Sequence, residues 1–201
     1  MFILGKNKRK QILSAATEFF AKFGFKKTTL DDIGKRVGLN RASLYYYFKS
    51  KEEIYMTIVI NQFKNLIKSL YAEIEDDMIC EEKILKYFEK RHQWWFQQSG
   101  IIPQITKEDV HSFIGIGRDQ KRAIEQEERE RFSNILRKCI ERGQIRECDT
   151  EQVTRLIFAI PEGIKSMYRS VFTMTPISID ENNKINNDIQ RALKIFVNGL
   201  K

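Results

Sequence analysis

The 201-residue chain holds only three Pro, ten Gly and three Cys. So little Pro and Gly excludes collagen-like and low-complexity classes. Cys80, Cys139 and Cys148 are odd in number, scattered, and form no CxxC. That argues against a disulfide framework and fits a reducing compartment. No uncharged apolar run approaches the ~20 residues that a membrane helix needs. The apolar start Met1-Phe2-Ile3-Leu4 is short, and basic residues follow it rather than precede it, unlike a signal peptide. A cytoplasmic location is expected. There are two His, His92 and His111, and no HExxH, GxSxG, P-loop or GxGxxG, so no catalytic constellation is recognisable. Neither an enzyme nor a cofactor or metal site is expected. Carboxylate pairs such as Glu127-Glu128 sit in charge-rich stretches and read as solvated helix faces.

What is present points to helices. Hydrophobic residues make up 42%, with 14 Phe, enough for a sizeable core. Nearly every segment has three- and four-residue apolar spacing, and none alternates as a strand would. The net charge of +8 is unevenly placed. Residues 1–52 hold 12 Lys/Arg against 4 Asp/Glu, while residues 53–201 hold 23 of each. A basic segment joined to a neutral body suits an anionic surface, either nucleic acid or membrane, or is only a solvated charged face.

The spacing predicts a first helix over about Asn7–Phe23, stopped by Gly24. Lys6, Lys8, Arg9 and Lys10 load its N-terminal end with the wrong sign for the helix dipole, for which a nearby phosphate would supply a reason. Thr28, with Asp31 three residues on, is the expected cap of a short helix to Arg36. Asn40 caps another over Arg41–Tyr47. Ser50-Lys51-Glu52-Glu53 is a capping box opening a long helix that ends near Glu75–Asp77. Further helices are expected over about Glu81–Gln98, Glu108–Gly117, Asp119–Arg142, Asp149–Phe172 with Pro161 interrupting or kinking it, and Ile185–Asn198.

The short helices match a helix-turn-helix. Gly38 falls at the turn. Ile33, Val37, Leu39 and Leu44 fall on the packing faces, and Gly34 where the two helices come closest. With Leu44 inward, Arg41, Ala42, Ser43, Tyr45 and Tyr46 face outward or along the rim. Arg41 suits a guanine edge and Ser43 several bases. Tyr45, Tyr46, Lys49, Lys51, Thr28 and Thr29 suit phosphates. Helical spread keeps three consecutive Tyr from facing one way, so Tyr47 and Phe48 are expected to pack.

The stretch from Thr28 to Ile54, above all Leu44-Tyr45-Tyr46-Tyr47-Phe48-Lys49-Ser50-Lys51-Glu52-Glu53, resembles the DNA-binding signature of TetR-family transcriptional regulators. Gly34, where Ala is usual, and Tyr47, where His is frequent, depart from it. The resemblance implies an all-α fold of about nine helices. An N-terminal three-helix DNA-binding domain (1–52) would precede a helical effector-binding and dimerisation bundle (53–201). It implies a homodimer on palindromic double-stranded operator DNA, released by a small-molecule effector. The alternative is a regulator, or an activator, without such an effector, working through a protein partner. Trp95, Phe113, Phe132, Glu162, Met167 and Tyr168 are candidate pocket walls, or else ordinary core or interface. Ile157, Ile160, Ile164, Ile189, Leu193 and Phe196 are candidate dimer contacts, some of which must also pack inward.

Overall fold

A computed structural model describes residues 2–74, 77–99, 115–168 and 177–201. Among them the chain forms eight α-helices and no strand. They fall into two units. The division lies inside α4 (Lys51–Ala72), between Lys64 and Asn65, and inside α6 (Arg118–Glu141), between Lys121 and Arg122. No described helix is long and apolar enough to cross a membrane. The helix expected over Glu108–Gly117 falls almost wholly outside the described residues.

In the first unit α1 (Phe2–Lys27) is broken at Gly24, whose φ of 82° leaves the helical region. The cap of α2 (Leu30–Arg36) lies one residue later than the Thr28 and Asp31 expected. Thr29 is the N-cap, and it forms a reciprocal box with Asp32. Thr28 is unavailable because its hydroxyl donates to the Gly24 carbonyl at 2.8 Å, closing the broken end of α1. At the other end of α2, Leu39 N–H reaches Gly34 O at 2.8 Å and Gly38 N–H reaches Lys35 O at 3.2 Å. This is a Schellman closure, which needs a left-handed residue at Gly38, here at φ 68°. At Gly34 a Cβ would stand 2.7 Å from Leu39 O, so the turn leaves room only for hydrogen. Asn40 caps α3 (Arg41–Tyr45) by accepting from Ser43 N–H at 2.8 Å; the helix stops two residues short of Tyr47. Ile12, Ala16, Phe20, Ile33, Leu44, Phe48 and Ile54 form the core of this unit.

In the second unit are α5 (Cys80–Ser99), the rest of α6, α7 (Thr150–Tyr168) and α8 (Ile179–Asn198). A second Schellman closure ends α6: Gln144 N–H reaches Cys139 O at 2.9 Å and Gly143 N–H reaches Ile140 O at 2.8 Å. Asp149 caps α7 through Glu151 and Gln152 N–H, both 3.0 Å. That helix continues through the buried Pro161 rather than stopping there. The last helix begins at Ile179, not near Ile185, because Ser178 and Glu181 form a complete capping box. Apolar periodicity is thin over its first turn, so spacing alone misplaces the start. α8 packs against α5 and α7. Between them Tyr87, Phe88, Phe132 and Phe158 pair mostly edge to face, with centroids 5.0–6.1 Å apart.

One carboxylate reverses the expectation of a solvated face. Glu127 is exposed and pairs with Arg131 at 2.7 Å, but Glu128 is only 1% exposed. It continues the stripe Ile124, Phe132, Leu136 at four-residue steps and therefore points inward. Its Oε1 accepts from Tyr87 Oη at 2.5 Å and from Arg91 Nε at 3.0 Å.

Candidate nucleic-acid interface

Three carbon side chains orient the head. Leu44 and Phe48 are buried to within 1% of full burial, and Tyr47 is half-buried against the same core. The rest of α3 then faces water: Arg41 and Ala42 are exposed, Ser43 is half-exposed on the rim, and Tyr45 and Tyr46 are exposed, Tyr46 by 83%. The Arg41 guanidinium rests near Tyr45 Oη at 3.3 Å and Asp31 at 3.9 Å, contacts long enough to exchange for a base edge. Lys49 is exposed beside them. Thr29 lies at the exposed start of α2, where its hydrogen bonds hold the Asp32 carboxyl below the ordinary range. Together these residues make a surface of donors, aromatic hydroxyls and cations suited to a groove and its phosphates.

Not all of the basic excess faces outward. Lys8 donates to Val37 O at 2.7 Å, and Arg9 donates to Tyr47 O at 2.7 Å. Val37 is the C-cap of α2, and Tyr47 follows the last turn of α3. The two cations therefore answer the negative ends of the two helices that they clamp to α1. Arg9 also lies 4.0 Å over the Phe48 ring and 3.5 Å from Glu53. An internal cap, rather than a phosphate, accounts for part of the charge at the start of α1. Lys51 is similarly engaged. Its ammonium donates to Phe25 O at 2.8 Å and Thr28 O at 3.0 Å and lies 4.3 Å over Phe25. Thr28, at 1% exposure, presents no surface to a ligand. Replacing Lys51 with Met should therefore lower unfolding free energy by about 2 kcal/mol, the value of charged hydrogen bonds left unmade. Urea titration reads this directly; unchanged stability with weakened DNA binding would restore the phosphate role for Lys51.

The sequence model of bacterial regulatory proteins of the tetR family matches residues 12–57, spanning the turn and the outward helix. Residues 12–57 thus carry the DNA-binding module of tetR-family regulatory proteins. It is 28% identical over 157 residues to the uncharacterized helix-turn-helix-type transcriptional regulator YhgD of Bacillus subtilis, covering 72% of this chain and 75% of that one. Its likeness to IcaR of Staphylococcus epidermidis, a negative transcriptional regulator of the biofilm operon icaADBC, is 41% over 69 residues, or 34% of this chain and 37% of IcaR. A solved transcriptional regulator from Cytophaga hutchinsonii shares the fold with a TM-score of 0.76 at 18% identity, covering 95% of this chain and 97% of that one.

In the second unit the candidate pocket residues do not converge as a set. Phe132 is fully buried in the aromatic core, and Met167 is 83% exposed. Tyr168 donates to Asp188 Oδ2 at 2.6 Å near the surface. Phe113 lies outside the described residues. Among the described candidates, Trp95 and Glu162 are brought together, through Lys165. That ammonium is 4.8 Å from the Trp95 ring and 3.2 Å from Glu162, which also receives Arg91 at 3.1 Å. Burial works against it, but Lys165 and Arg91 hold the Glu162 carboxyl below its usual range. Nearby, His92 shares a hydrogen bond with Asn182 Oδ1 at 2.9 Å, and burial together with Lys165 holds its imidazole below the usual range. Spacing did not reveal Lys165 or Arg91, because long basic side chains on helices normally read as solvated.

The candidate dimer contacts divide by face. Ile157, Ile189 and Leu193 are fully buried within the chain's own core; Ile160, Ile164 and Phe196 are half-buried at its edge. Among the described residues, the exposed large apolar side chains of these two helices are others: Leu156 (49%), Met167 and Tyr168 on α7, and Ile179 (71%) and Ile195 (75%) on α8. Leu156, Ala159, Ile160, Gly163 and Met167 follow steps of three and four, one face of α7.

Proposed function

We propose that this protein is a homodimeric repressor that binds a palindromic operator through residues 1–52 and is released by a small molecule held in the 53–201 body. The observation that carries the reading is the outward set on α3, Arg41, Ala42, Ser43, Tyr45 and Tyr46, fixed by the burial of Leu44 and Phe48. The likeness over 69 residues to IcaR, a negative regulator, supports repression. The apolar face on α7 and α8 is the dimer surface, so two heads meet two half-sites related by the same symmetry. Trp95 and Glu162, tied by Lys165 and Arg91, mark the effector site; a ligand that favours one spacing of the heads shifts operator affinity.

Fluorescence anisotropy with operator DNA tests this reading. If a dimer neutralises about eight phosphates, log K should fall against log salt with a slope of roughly −7. Arg41→Ala should relax base preference at one position in each half-site, by about tenfold, while Lys49→Ala should weaken all sequences alike. A flat salt response would refute the DNA role, and equal non-selective losses would refute the division of labour.

A further inference from the structure

A cleft of ≈ 290 Å³, partly open to solvent, lies wholly within the first unit. That is the lower end of the about 300–1,000 Å³ typical of small-molecule sites, so its occupant is small. It is bounded by Arg9 of α1, by α4 and the two residues before it, and by the start of α6. Met56, Ile60 and Ile116 supply an apolar wall. Gly117 lets the chain entering α6 lie against α4: a Cβ there would stand 2.6 Å from Ile60 Cδ1.

The polar wall has more donors than the protein uses. Two cations, Arg9 and Lys49, line the cleft with one carboxylate, Glu53. Glu53 is already engaged: Oε2 accepts from Lys49 N–H at 2.6 Å, and Oε1 lies 3.5 Å from the Arg9 guanidinium. The Lys49 ammonium has no partner among the described residues. Arg9 donates to Tyr47 O at 2.7 Å, yet its side chain is 44% exposed and keeps further N–H donors. The Gln120 amide also lines the cleft and is likewise unbonded among the described residues. Two positive charges against one negative leave an unanswered cation beside an apolar wall.

We propose that this cleft binds a small organic carboxylate with a compact apolar body, and that the bound acid opposes operator binding. The carboxylate accepts charge-assisted hydrogen bonds from the Lys49 ammonium and the Arg9 guanidinium, and the body covers Met56, Ile60 and Ile116. An alcohol of the same shape leaves the cation unanswered, and an amine meets two like charges. Lys49 cannot serve the ligand and an operator phosphate at once. This coupling rests on the proposed operator role of Lys49, and by linkage operator DNA weakens the carboxylate by the same factor. The site is distinct from Trp95 and Glu162, which belong to the second unit.

The experiment uses the full chain and three compounds of one shape: 3-phenylpropionate, 3-phenylpropanol and 3-phenylpropylammonium. In titration calorimetry the carboxylate should bind with a Kd of about 1 mM or below. The alcohol should bind at least about tenfold more weakly, and the ammonium not at all. Thr57 lines the same cleft, so Thr57→Phe should abolish the carboxylate's heat and leave operator affinity unchanged. If circular dichroism shows that Thr57→Phe does not fold, Gln120→Trp fills the cleft from α6 instead. At constant ionic strength, saturating carboxylate should weaken operator binding of the unaltered chain by about fivefold or more in anisotropy, and should not affect the filled variant. Absence of heat, equal binding of the alcohol, or binding that survives the filled cleft would overturn the site. Carboxylate binding with unchanged operator affinity would overturn the coupling. A chain that binds the carboxylate but no DNA in any condition would refute the repressor reading and leave the site standing.

Discussion

Ile195→Arg should convert the protein to a folded monomer and lower operator affinity by about 10²–10⁴-fold. Ile195 is 75% exposed on α8, so the substitution costs the isolated chain little. In a two-fold dimer the same side chain is buried twice. Each copy contributes about 2 kcal/mol of transfer free energy, and an arginine in its place adds an unpaired charge to an apolar contact. The dissociation constant of the dimer should therefore rise by about a thousandfold or more. The DNA penalty has a different origin. When two heads are joined, the second binds at the effective concentration set by the first, and separating them removes that advantage without touching α3. Sedimentation should show halved mass, circular dichroism should keep its helical signal, and anisotropy should show the weakened operator binding. A variant that remains dimeric would move the interface off this face. A variant that unfolds would show that Ile195 packs within its own chain.

Glu128→Ala should lower the melting temperature by about 10 °C. The buried carboxylate accepts from Tyr87 and Arg91, the latter itself 14% exposed. Tyr71 adds a 2.7 Å hydrogen bond to the Glu128 carbonyl. Removing one partner of a buried ion pair leaves the other charge uncompensated, a loss of about 3–5 kcal/mol. At about 2–4 °C per kcal/mol for a chain of this size, that gives the stated shift. Arg91 retains Glu162 at 3.1 Å, which keeps the loss toward the lower end. The coupling is the sharper test. Glu128→Leu combined with Arg91→Met should melt higher than Glu128→Ala alone, because no charge is then stranded. Calorimetry on the single and double variants reads both effects. Additive losses would show that the two side chains act independently.

Several features were legible because they depend on near neighbours. Gly24 breaks α1, Gly38 closes α2 and Gly143 closes α6, each at a positive φ that glycine adopts without a Cβ penalty, and that demand is local. Asn40 and Asp149 cap as their side chains permit. The shift from Thr28 to Thr29 shows the limit of that reading. Both hydroxyls suit a cap, and only the carbonyl freed at Gly24 decides which is spent elsewhere. Ser50 and Glu53 show it again. Glu53 N–H bonds Ser50 as the box requires, while the Glu53 carboxylate turns to Lys49 N–H at 2.6 Å and to Arg9.

The sequence by itself determined the all-helical class, the turn at Gly38, the outward set on α3 and the placing of the whole +8 in the first 52 residues. Each rests on periodicity, capping or composition, which act over a few residues. Tertiary structure decided how individual charges and apolar side chains are used. It assigned Lys8 and Arg9 to helix ends, Lys51 to the Phe25 and Thr28 carbonyls, and Glu128 to the core beside Arg91. It also sent Ile189 and Leu193 inward and left Ile195 outside. A helix carries side chains around its full circumference, and only the elements packed against it determine which of them meet water.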